Sequence, residues 1–69
     1  MQLIRPFGRN RIALHLPASH PALETLKAQA LFAASYSKAG AVIAFDLCFP
    51  ASEVGNLKRL LAENEANLP

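Results

Sequence analysis

The chain has a single cysteine, so no disulfide can staple it to itself, and a reducing compartment is the simplest setting for it. Charge is also scarce: Asp, Glu, Lys and Arg make up 17% of the residues, against about a quarter in ordinary soluble domains. No apolar stretch reaches the roughly 20 residues of a membrane-spanning helix. Arg5, Arg9 and Arg11 interrupt the N-terminal segment too closely for a signal sequence, so the chain reads as soluble, unprocessed and cytoplasmic. Ligand spacings such as CxxC or HxxxH are missing. His15, His20, Asp46 and Cys48 are the only candidates for a zinc-like donor set, and without such a spacing neither a metal nor a cofactor is expected. There is no RNP-like motif and no helix-turn-helix spacing.

Apolar residues are plentiful instead, at 52% of a chain of 69. A domain this small leaves much of its surface in water, and apolar surface in excess of the core calls for a partner or a second copy.

Two segments alternate with the period of a strand. In residues 11–16 Ile12, Leu14 and Leu16 share one face, while Arg11, Ala13 and His15 share the other. Residues 2–7 precede them across Gly8-Arg9-Asn10, which suits a three-residue hairpin loop with Asn10 in a left-handed conformation. This register pairs Phe7 with Arg11, Arg5 with Ala13 and Leu3 with His15. Pro6 lacks an N–H, which assigns the first strand to an edge.

Residues 41–49 alternate in the same way, with Ile43, Phe45, Leu47 and Phe49 opposed to Val42, Ala44, Asp46 and Cys48. Between the strands, Ser19 is the expected N-cap of a helix over 19–39 that ends at Gly40. Ser52 is the expected cap of a second helix over 52–66, with Val54, Leu57, Leu60, Leu61 and Leu68 as its apolar stripe and Asn67 and Pro69 fraying beyond it. No internal repeat is expected.

The order ββαβα predicts one compact α+β domain: a β-hairpin over 1–17, then a right-handed crossover to a parallel third strand. The result is a three-stranded mixed sheet with both helices on one face. Its core would be Ile4, Ile12, Leu14, Leu16, Ile43, Phe45, Leu47 and Phe49 against Leu23, Leu26, Ala30, Leu57 and Leu61. Strand 41–49 would form the second edge, long and apolar with no internal Lys or Pro to blunt pairing. The alternative order has the hairpin covering that edge.

Asp46 and Cys48 then fall on the face away from the helices, with Leu3, Arg5, Phe7, Arg11, His15 and Val42. A Cys48–His15 nucleophilic pair is geometrically conceivable there, but a flat sheet in so short a chain gives little shelter for an oxyanion, and Cys48 reads as packing. Ser35, Tyr36 and Ser37 read as surface polar residues.

Charge is uneven along the chain. The first 38 residues carry five cations against Glu24, net +4, and the remainder is net −2.

These features point to a non-enzymatic protein-binding module, a small regulator or inhibitor of the antitoxin, immunity or phage and plasmid kind that masks a partner's surface. Its partner would be another protein, or a second copy in a homodimer, held by edge 41–49 and the outer sheet face. The contact residues would be Leu3, Arg5, Phe7, Arg9, Arg11, His15, Val42 and Asp46. The alternative is a small basic nucleic-acid-binding protein using the hairpin and the open face.

Overall fold

The computed structural model describes residues 3–66. They form β1 (Leu3–Pro6), β2 (Arg11–Pro17), α1 (Leu23–Gln29), β3 (Phe32–Lys38), β4 (Ala41–Pro50), one 3-10 turn (Ala51–Glu53) and α2 (Val54–Ala66). The expected stripe residue Leu68 and the fraying expected at Asn67 and Pro69 lie outside the described residues. The strand order is β1-β2-β4-β3, and every neighbouring pair is antiparallel. The α+β class and the two helices are as expected, but among the described residues the sheet has four strands and no parallel pair.

The first hairpin forms in the anticipated register, with Leu3 opposite His15 and Arg5 opposite Ala13. Phe7 donates its N–H to the Arg11 carbonyl at 2.9 Å, and Asn10 takes φ 61° in the connecting loop. Pro6 sits on an edge strand, where a missing donor costs no ladder bond.

The helix expected over 19–39 is the main correction. α1 has seven residues and is preceded by Ala22 instead of a Ser19 cap, and the chain then re-enters the sheet as β3. Helix-forming residues such as Ala33, Ala34 and Lys38 favour a continued helix locally, but pairing with β4 along seven positions overrides that preference. Gly40 therefore caps no helix. Lys38 pairs with Ala41 across the two-residue turn Ala39-Gly40, whose φ values of 53° and 81° are those of a type I′ hairpin.

β4 is consequently a central strand, flanked by β2 and β3, and the edge assigned to 41–49 does not exist. Ser52 lies within the 3-10 turn that leads into α2 and makes no side-chain cap.

Both helices cover one face. Ile12, Leu14, Leu16, Leu47 and Phe49 from the sheet pack with Leu23 and Leu26 of α1 and Leu57 and Leu61 of α2. Leu14, Leu16, Leu26, Leu47, Phe49 and Leu57 are fully buried, and each such side chain contributes about 1.5–3 kcal/mol by leaving water. Ile4, Ala30 and Phe45 are packed at the core's margin. Ile43, expected in the core, is 50% exposed. The β3–β4 register shifts between Tyr36 and Ser37, so that Ile43 is left as an extra residue in a bulge.

The antiparallel order reveals an internal repeat. Each half is a ββα unit, with its first strand at an edge and its second at the centre. Leu14-His15-Leu16-Pro17-Ala18-Ser19 matches Leu47-Cys48-Phe49-Pro50-Ala51-Ser52, and Leu14 and Leu47 face each other about the local two-fold axis. Backbone bonds repeat with it. Ala18 N–H reaches the Ile43 carbonyl at 2.9 Å, and its counterpart Ala51 N–H reaches the Asn10 carbonyl at 2.9 Å. The offset that takes Ala18 to Ala51 also takes Asn10 to Ile43.

Candidate functional site

The sheet face away from the helices carries Arg5 from β1, Phe7 just beyond its end, and Phe32, Ala34 and Tyr36 from β3. Ala13 and His15 come from β2, and Asp46 and Cys48 from β4. Edge strands three strand spacings apart stand about 14 Å from each other in a flat sheet. Here their side chains meet. Phe7 and Phe32 pack edge to face with ring centroids 5.9 Å apart, passing over Ala13 and Cys48. Small central residues and the natural coiling of the sheet allow that contact. Cys48 is thereby only 2% exposed although no second layer among the described residues covers it, and Ala13 is buried with it.

Asp46 is the polar counterpart of this aromatic closure. Its Oδ2 accepts from Arg5 Nη2 at 2.9 Å and from Tyr36 Oη at 2.5 Å, while Oδ1 accepts from His15 Nδ1 at 2.7 Å. The donors come from β1, β2 and β3, so one carboxylate ties three strands to β4. Arg5 reaches it because its cross-strand neighbour is Ala13, which leaves the path open.

The Asp46 side chain is 14% exposed. Burial pushes its pKa up, but the hydrogen bonds from Tyr36 and His15 and the charge of Arg5 outweigh that, and the carboxyl titrates below its ordinary value. Tyr36 moves the opposite way, raised chiefly by its hydrogen bond to Asp46, then by desolvation and the nearby negative charge.

Arg5, Phe7, Ala13, Phe32, Ala34, Tyr36, Asp46 and Cys48 line a shallow groove of about 230 Å³ across this face. Chemically it is an apolar trough with one neutralised ion pair at its end. Such a site suits a flat or aromatic group better than a free ion.

Four of the expected contact residues, Arg5, Phe7, His15 and Asp46, do share this face. Leu3 is placed in β1 opposite His15. Arg9 is in the hairpin loop, Arg11 is exposed at the start of β2, and Val42 is exposed near the far hairpin, so these three stand apart from the Asp46 cluster. Phe32, Ala34 and Tyr36 complete the site and were not anticipated, because a helix was expected over them. The alternation of Phe32, Ala34 and Tyr36 up to Lys38-Ala39-Gly40-Ala41 is the signal that places them.

Among the described residues, no three His, Cys, Asp or Glu side chains converge as metal ligands, and no helix is long and apolar enough to cross a membrane. Comparison with protein-family models, curated proteins and solved structures finds no match.

Proposed function

We propose that this chain is a non-enzymatic protein-binding module, a small regulator or inhibitor that engages an extended polypeptide segment along β3. The observation that carries this reading is the character of that edge. β3 runs seven residues, all of them exposed, with no proline and with Lys38 at its end as the sole charge. Leu31, Phe32, Tyr36, Val42 and Ile43, all exposed, are clustered in the same hairpin.

A long unblunted edge supplies backbone donors and acceptors to an added strand, and alternate side chains then set specificity. The groove beside it would take the partner's aromatic or aliphatic side chain. Arg5, His15 and Tyr36 hold Asp46 in an already satisfied network, which suits a rigid recognition surface.

Affinity capture from source-cell lysate with the wild-type chain and with Ala33→Lys/Ser35→Lys tests the reading. A polypeptide, whether a second copy of this chain or another protein, retained by the wild type and lost by a variant of unchanged melting temperature supports it; equal recovery by both refutes it.

A second reading is favoured by one observation. Phe7, Phe32 and Tyr36 stand exposed on an open sheet face that also carries Arg5, with Arg9 and Arg11 exposed at the first hairpin beyond it, a combination able to stack bases and contact phosphates. Binding of a single-stranded oligonucleotide at low salt, weakened by Phe32→Ala and falling steeply with added salt, would select this reading over the first.

A further inference from the structure

Resting on the protein-binding reading, we infer that the segment docking on β3 is β3 of a second copy, paired antiparallel about Ser35 so that two four-stranded sheets join into one of eight. The strand's own sequence carries this inference. With Ser35 on the two-fold axis, all residues from Phe32 to Lys38 find a partner in the other copy.

On the groove face, Phe32 meets Lys38 of the other copy and Ala34 meets its Tyr36. Large side chains fall opposite small or flexible ones, and an ammonium falls beside an aromatic ring. On the opposite face Ala33 meets Ser37, and Ser35 meets Ser35. The side chains there are small enough for two backbones to approach without a clash. No like charges oppose each other, because Lys38 is the strand's one charge and it lies three residues from the axis.

The pairing also completes the groove. Ala34 forms part of its lining, and the Tyr36 ring of the second copy would lie over Ala34 at the groove's open side. The apolar trough between Phe32 and Tyr36 of one chain is thus closed by an aromatic residue of the other. Growth stops at two copies, since the opposite edge is the four-residue β1 carrying Pro6.

The test is a mixing experiment followed by sedimentation equilibrium. Wild-type protein should show twice the 7.4 kDa chain mass. Ser35→Lys and Ser35→Glu each place like charges face to face on the axis, and each alone should be monomeric. An equimolar mixture should recover the double mass as a heterodimer.

Persistence of the dimer in either single variant would overturn the inference, as would mass increasing without limit. Should the variants not fold, hydrogen exchange of the wild type decides. The alternate amides of Phe32–Lys38 that face away from β4 must gain protection as concentration rises, and concentration-independent exchange there refutes self-pairing. A monomeric wild type that still captures a polypeptide through β3 refutes the second copy and leaves the binding reading standing. A monomer with no β3-dependent capture refutes both.

Discussion

β1 and β3 hold equivalent places at the two margins of the sheet, yet they finish it differently. β1 has four residues and contains Pro6, whereas β3 has seven and lacks proline. Their inner neighbours agree where they meet and where they end: Leu14 and Leu47 face each other on the local axis, and both strands lead through Pro-Ala-Ser into a helical segment. The difference in length and proline content between β1 and β3 lies where each unit meets water. Burial restricts what the central strands can become, while an edge can be lengthened or blunted with little effect on the core.

The outer face shows the same asymmetry. Asp46 corresponds to Ala13 and Cys48 to His15, so the repeat places one acid and one imidazole together where strict symmetry would place two like pairs.

The widest test of equivalence is the core. Leu14→Ala and Leu47→Ala should each lower stability by about 2–5 kcal/mol, and chemical denaturation should find the two losses similar. A gap larger than the loss itself in one of them would show that the halves do not share a core evenly.

Asp46→Asn probes the asymmetric face and should cost about 1–3 kcal/mol at neutral pH, since three donors lose a charged acceptor. The folded-state pKa of Asp46 is lowered, so its contribution is present above the unfolded pKa and disappears as pH falls through the folded value. Denaturation curves of wild type and variant should therefore converge in acid. Tyr36, whose pKa is raised, loses its contribution at the alkaline end as pH rises through its folded value.

The smallest effects distinguish the turns. Asn10 at φ 61° is well placed, and Asn10→Ala should cost about 1 kcal/mol. Ala39 at φ 53° carries the penalty that Asn10 avoids, so Ala39→Asn should stabilise by about 0.5–1 kcal/mol. Melting temperatures that move in the same direction for both variants would contradict the reading of the turns as counterparts.

Period-2 alternation and loop chemistry sufficed for β1, β2, β4 and most of their face assignments, because each has one side committed to the core; they failed at the β4 bulge, where Ile43 is exposed and Ala44 buried. β3 was hidden for the opposite reason. All seven of its residues are exposed, so no burial pattern marks it, and its alanines are equally at home in a helix. The repeated Pro-Ala-Ser segments were the available clue, since a hairpin before the first implies one before the second. The site followed the fold: Asp46, His15, Arg5 and Phe7 were legible as one face, whereas Tyr36 and Phe32 joined it only once β3 was a strand.

Pro6 also bears on supramolecular order. A sheet with two receptive margins is a monomer unit for fibre growth, and one with a single receptive margin is a chain terminator for its own kind. If β3 pairs with β3 of a second copy as proposed, the N–H that Pro6 lacks on β1 would separate a particle of fixed size from an open-ended polymer.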